Sequence, residues 1–151
     1  MIHAALNLTT VEAADISSAY LQAPTSEKQY IFCGNEFGLE NVGKQAKFFR
    51  ALYGVKSAGS NFWNHLCSCM DHLGVESSKA NPDLWIRQLV RKDVETEYHE
   101  YILLYVDDFL VISDRAESMI RNEIGKYFFL KGESIWRYWP IYWWKYEGSS
   151  T

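Results

Sequence analysis

Long apolar runs are missing from this chain of 151 residues. No stretch approaches the roughly 20 consecutive apolar residues that a membrane-spanning helix needs. The most apolar segment, Tyr101 to Ser113, is interrupted by Asp107 and Asp108. Met1 to Thr10 has neither the charged start nor the apolar centre of a secretory signal, so no export signal is expected. Cysteine is scarce: three residues, an odd number, make no secreted disulfide framework. An intracellular, reducing setting follows as the expectation, most simply the cytoplasm. There is no basic tail or arginine-rich run, and the net charge is −4. That excludes a module holding nucleic acid by charge alone. It leaves room for a site that gathers carboxylates. No glycine-rich phosphate loop occurs, no Gly-x-Ser-x-Gly hydrolase element, and no internal repeat.

What is present reads as one globular domain with a real core. Hydrophobic residues make up 48% and charged residues 23%, which excludes a disordered chain. Aromatics reach 16% and are unevenly placed, four of the six Trp falling at positions 136, 139, 143 and 144. Ile2 to Ala13 reads as a short helix leading into an extended stretch from Asp15 to Leu21. Gln29 to Cys33 and Gln45 to Tyr53 read as strands, separated by a glycine-containing loop. From Ala58 to Leu73, the apolar residues Phe62, Leu66, Met70 and Leu73 recur at helical spacing, and Gly74 is a C-terminal stop. Leu84 to Leu89 reads as a strand and Arg91 to Glu97 as a solvated loop. Tyr101 to Val106 and Phe109 to Ile112 form a hairpin pattern around a polar pair. Asp114 is placed to cap a helix from Ala116 to Phe128.

Asp107 and Asp108 need an explanation. Asp favours turns, and a plain turn is the ordinary account of an Asp-Asp pair. Here the flanking strands are apolar enough to put the pair at the edge of a core. A third carboxylate, Asp15, also lies on an extended apolar stretch, followed by the small residues Ser17, Ser18 and Ala19. Three carboxylates delivered from two strands suit hard Mg²⁺ ions, which take oxygen ligands and keep positions for phosphate and water. Two such ions roughly 4 Å apart can clamp an in-line displacement.

The segment Ile102-Leu103-Leu104-Tyr105-Val106-Asp107-Asp108-Phe109-Leu110 resembles the signature hairpin of reverse transcriptases. Its Leu-Leu-Tyr-Val-Asp-Asp core is similar to that of the copia-type (Pseudoviridae) retrotransposons. Asp15-Ile16-Ser17-Ser18-Ala19-Tyr20-Leu21 resembles the family's first metal-binding motif. Leu52-Tyr53-Gly54-Val55-Lys56-Ser57-Ala58-Gly59, with Trp63 downstream, resembles its Leu-Tyr-Gly-Leu-Lys-Gln-Ala-Pro segment. Pro82-Asp83-Leu84-Trp85 resembles its Asp-Pro-Cys-Leu-Tyr stretch. The four occur in the family's order, from about Leu6 to Lys131.

The resemblance implies an α+β polymerase palm, an antiparallel sheet backed by helices in a split β-α-β, ferredoxin-like arrangement. It implies RNA-directed DNA synthesis with Asp15, Asp107 and Asp108 as catalytic ligands of two Mg²⁺, Mn²⁺ being able to substitute. The Ile16 carbonyl would be an extra metal ligand. Tyr20 would be the steric gate against a ribose 2′-hydroxyl; its plain alternative is a half-buried packing aromatic. Lys56 would line the nucleotide and template, against the alternative of a surface lysine. The implied partners are an RNA template, a DNA primer, deoxynucleoside triphosphates and the remainder of a retrotransposon polyprotein, inside a virus-like particle, with no membrane. Ser57 and Gly59 depart from the usual Gln and Pro, and one extra residue precedes Trp63, which touches nucleotide contacts and not the carboxylates.

With only fourteen residues before Asp15, the basic fingers segment is expected to be largely absent and the chain alone to be a poor polymerase. A non-catalytic remnant of a decayed element is the second function class. Residues 1–131 thus read as the palm region and 132–151 as an aberrant Trp-rich tail. Trp has the single codon TGG, which read one base later begins a glycine codon. Ile141-Tyr142-Trp143-Trp144 then permits Tyr-Ile-Gly-Gly, near the turn the family leads one to expect. A slipped reading frame from about Trp136 would leave a poorly ordered or loosely docked tail, whereas a native aromatic strand or interface is the alternative. His65, Cys67, Cys69 and His72 do not share one helical face, so plain helix packing is expected there rather than zinc.

Overall fold

The computed structural model describes residues 9–25, 27–91, 95–132 and 136–137. Two compact units divide the chain, one formed by Met1–Ser17 with Met70–Thr151, the other by Ser18–Cys69.

The first unit is built on a six-stranded sheet in which every paired neighbour is antiparallel. Its strands are β1 (Thr10–Asp15), β4 (Glu76–Ser77), β5 (Leu84–Arg91), β6 (Thr96–Tyr105), β7 (Asp108–Ser113) and β8 (Trp136–Arg137). They lie in the order β4-β5-β6-β7-β1-β8. Helix α3 (Ala116–Asn122) follows β7, with a short 3₁₀ turn at Ile124–Lys126. Between β1 and β4 the chain passes through the second unit. There lie a helical turn α1 (Ala19–Gln22), a two-stranded ribbon of β2 (Tyr30–Phe32) and β3 (Gln45–Lys47), and all but the last turn of helix α2 (Ala58–His72). In chain order, β1-α2-β6-β7-α3-β8 with the central sheet order β6-β7-β1-β8 is the split β-α-β plan of a palm-like α+β fold.

Alternation explains the sheet. Along β6, Tyr98, Glu100, Ile102 and Leu104 are buried in turn, and along β7 so are Phe109, Val111 and Ser113. Cross-strand register puts Ala14 opposite Phe109, and both Leu104 opposite Phe109 and Ile102 opposite Val111, so these side chains share one face. The buried Ala116, Met119 and Ile120 of α3 belong to the same core, since α3 packs on β1 and β7. The other face carries Leu103, Tyr105, Asp108 and Asp15 and is far more open.

Glu100 sits on the covered face at 0% exposure. It accepts hydrogen bonds from Arg87, Arg115 and Ser113. Glu123 completes the cluster by pairing with both arginines, at 2.9 and 2.6 Å. Burial alone would raise the Glu100 carboxyl, but the Ser113 hydroxyl and the two guanidinium groups hold it below the usual carboxylate value.

Several local expectations are corrected. Thr10–Asp15 is a strand rather than the end of a helix, because β7 offers a partner along its whole length. Ala19–Gln22 is helical, entered through Ser18 in the left-handed region. The strand expected from Gln45 ends at Lys47. Strand β6 begins at Thr96, inside the expected loop, because β5 continues to Arg91 and pairs with it. Asp114 does not cap α3; its carboxylate is taken by Arg91. Helix α2 ends at His72, one residue early, with Gly74 at φ +70° as its stop. Of the tail 132–151, residues 133–135 and 138–151 lie outside the described residues. The backbone of Trp136 and Arg137 pairs with Ala13 and Glu12 at the sheet edge.

Breaking a buried ion cluster by neutralising one member costs about 3 kcal/mol or more. Glu100→Gln is therefore expected to lower the urea-unfolding free energy by about that amount. The sign with pH follows from the depressed folded-state carboxyl. Its stabilisation is present above the unfolded carboxylate value and is lost as pH falls through the lower folded value. The Gln variant should show a shallower loss of stability on acidification, and an unchanged acid limb would refute this role.

Candidate active site

The site begins with a tight hairpin. Tyr105 pairs with Asp108, leaving Val106 and Asp107 as the two turn residues between β6 and β7. Two-residue hairpin loops need positive φ at the first position and usually place Gly or Asn there. Val106 occupies it with φ +55°. A β-branched residue in that region is a true outlier, costing of order 1–3 kcal/mol. The apolar strands on both sides hold it there, and the result is Asp107 and Asp108 presented at the end of the hairpin.

Strand β1 supplies the third carboxylate. The β1–β7 register runs from Thr10↔Ser113 to Asp15↔Asp108, so Asp15 lies directly opposite Asp108 and on the same face. The Ile16 amide donates to the Asp107 carbonyl at 2.8 Å, tying the turn to the end of β1. Ile16 is almost fully buried and bridges to Leu130. The amides of Ser17 and Lys131 make that bridge, to Phe129 and Asp15. Among the described residues no main-chain amide donates to the Ile16 carbonyl.

Two neighbouring carboxylates oppose the ionisation of Asp108. Partial burial, then Asp107, then Asp15 push the Asp108 carboxyl above its ordinary value, and Lys131 pulls it back. Lys131 was not singled out by the sequence. Its Nζ lies 3.2 Å from Asp15 Oδ2, and its amide donates to the Asp15 carbonyl at 2.9 Å. Only the register of the Ile16–Leu130 bridge reveals this neighbour, since 116 residues separate the pair. The donor set suits a hard cation: carboxylates from two strands, mutually repelling, with an ammonium already against one of them. The side chains as they stand do not close on one point, for among the described residues no three His, Cys, Asp or Glu form a metal-binding group.

In the second unit, Tyr20 stacks on Tyr53 at 4.6 Å between ring centroids and tilts against Phe62 at 5.8 Å. Gly59 lies beside its hydroxyl, where an added Cβ would sit 3.9 Å away. Tyr53 and helix α2 thus hold this one ring from two sequence segments. Lys56 is exposed, in the turn before α2. On α2, Cys69 is buried, and burial pushes its thiol up to about 11, which fits neutral packing rather than thiolate ligation.

A family model described as reverse transcriptase (RNA-dependent DNA polymerase) matches residues 2–132. The chain belongs to the reverse transcriptase family. No protein of curated function matches it. The family match spans β1, the hairpin and Lys131 together, so the carboxylates lie inside the reverse transcriptase domain. Among the described residues, no helix of this domain is long and apolar enough to cross a membrane.

If Val106 stores strain, Val106→Gly should raise the unfolding free energy by about 1 kcal/mol, the relief exceeding the entropic cost of glycine. Val106→Ala should not, because alanine keeps a Cβ. Denaturant melts of the two variants decide; a destabilised Gly variant would show the turn to be relaxed.

Proposed function

We propose that this chain is the catalytic palm of a copia-type retrotransposon reverse transcriptase, extending a DNA primer on an RNA template from deoxynucleoside triphosphates. The observation that carries the proposal is the Asp15↔Asp108 register beside the strained Val106-Asp107 turn. It delivers carboxylates from two strands to one face of an antiparallel sheet. In this reading Asp15, Asp107 and Asp108 hold two Mg²⁺, with Mn²⁺ able to substitute and the Ile16 carbonyl as a further oxygen donor. Bound there, the ions would activate the primer hydroxyl and offset charge on the triphosphate.

The protein's own residues do the rest. The hairpin orients two ligands rigidly, and β1 orients the third. Lys131 offsets the charge of Asp15 and keeps its side chain at the cluster. Tyr20, braced by Tyr53 and Phe62, serves as the sugar gate, and Lys56 contacts nucleotide or template. The work is done inside the cell, within the particle of the parent element. The same reading takes residues 1–131 as the polymerase region and 132–151 as a Trp-rich segment from a shifted frame. Sequencing the locus tests that frame: a stop codon soon after the shift, with no polymerase-like continuation, would refute it.

Primer extension with Mg²⁺, in a context where the domain is active, tests the assignment. Asp107→Asn removes a charged ligand and should abolish nucleotide addition; near-normal extension would overturn it. Tyr20→Ala should keep measurable extension while admitting ribonucleotides more readily. Unchanged discrimination would return Tyr20 to a packing role.

A further inference from the structure

The ribbon of β2 and β3 turns one face outward. Its register pairs Tyr30 with Lys47 and Phe32 with Gln45. These four side chains alternate with the half-buried Ile31 and Ala46, so they share the exposed face. Phe49, two residues beyond Lys47, continues it, and the Lys47 ammonium lies 5.2 Å from the centre of its ring. Phe32 and Phe49 are each 73% exposed and Tyr30 51%. Large rings held open on a hydrogen-bonded ribbon are not explained by the core of this unit.

Charge points to the occupant. None of Tyr30, Phe32, Gln45, Lys47 and Phe49 is acidic. From Lys44 to Lys56 there are four cations, Lys44, Lys47, Arg50 and Lys56, and no acid. The unit Ser18–Cys69 has five Lys and Arg against three Glu, whereas the rest of the chain has ten against sixteen Asp and Glu. An acidic chain thus carries a local positive excess in the unit that presents this aromatic face, with Lys47 against the Phe49 ring itself. Aromatic rings interleaved with cations suit a polyanion whose flat groups are free to stack. A duplex hides its base faces, so the rings select an unpaired strand.

We propose that the exposed face of the β2–β3 ribbon, formed by Tyr30, Phe32, Lys47 and Phe49, is a stacking platform for single-stranded nucleic acid. In the reverse transcriptase reading, on which this rests, the strand is the unpaired template. The rings stack on successive bases and Lys47 faces the phosphates. Recognition is independent of base identity, because every base offers a π face.

Binding of a fluorescein-labelled oligonucleotide of about 12 nucleotides to the full chain, followed by anisotropy in EDTA, tests the platform without catalysis. RNA, DNA and blunt duplex versions are compared. Phe32→Ala and Phe49→Ala should each weaken binding to both single strands by about five- to 150-fold. Duplex binding should change less than twofold. Lys47→Ala should lower the salt slope for single strands by about 0.7. Leu39→Ala, exposed but off the ribbon, should bind as wild type. Circular dichroism melts should match across the set, since every altered side chain is exposed.

Wild-type binding that is undetectable, or ring variants within twofold of wild type, would overturn the proposal. So would equal losses for duplex and single strand. Concentration-dependent self-association abolished by Phe32→Ala would assign the face to a second copy instead. Asp107→Asn should bind the oligonucleotide normally. Loss of extension in that variant alongside unaltered binding by the ring variants would therefore sink the platform and leave the catalytic reading intact.

Discussion

The register between β1 and β7 is the constraint on which the rest depends. Side chains in a strand alternate with period 2, so a slip of one residue would send Asp15 to the covered face and Ala14 to the open one. Burial forbids that slip. Ala14, opposite Phe109, and Val111, opposite Ile102, are both buried and belong to the core that α3 covers. Packing on the covered face thus fixes the placement of Asp15 and Asp108 on the open one. The carboxylates need no attraction to find each other, and their mutual repulsion is carried by a sheet stabilised elsewhere.

That division of labour recurs along the sheet. Away from the Asp hairpin, the buried Glu100 cluster satisfies its charges among Arg87, Arg115, Glu123 and Ser113, and so ties β5, β6, β7 and the end of α3 together. At the hairpin, by contrast, charge is left partly uncompensated and a valine is held at positive φ. The stable end tolerates the strained one. Such concentration of strain and like charge is expected where function, and not stability, has set the residues. The hairpin lies within residues 2–132, the span of the reverse transcriptase family match.

Much of this was legible in the sequence. The helix from Ala58, the strands at Leu84 and around Asp107-Asp108, and the palm-like α+β class follow from periodicity and from four motifs in order. Elements defined by distant partners were not legible. Strand β1 looked helical because its own residues are ambiguous, and only β7 decides it. Asp114 looked like a helix cap until Arg91 took it. Lys131 carried no local signal, being joined to Asp15 through a two-residue bridge from the far end of the chain. The exposed rings of the ribbon read simply as strand residues, because exposure is not a property of sequence.

The central claim is that Asp15 acts with Asp107 and Asp108 as one cation site despite coming from a separate strand. Titration of the chain with Mn²⁺, read by the electron paramagnetic resonance of the free ion, tests it most directly. Asp15→Asn and Asp108→Asn should each weaken binding by at least about tenfold, while Asp83→Asn, on an exposed turn, should leave it unchanged. Wild-type affinity in Asp15→Asn, with the loss confined to Asp107 and Asp108 variants, would contradict the account.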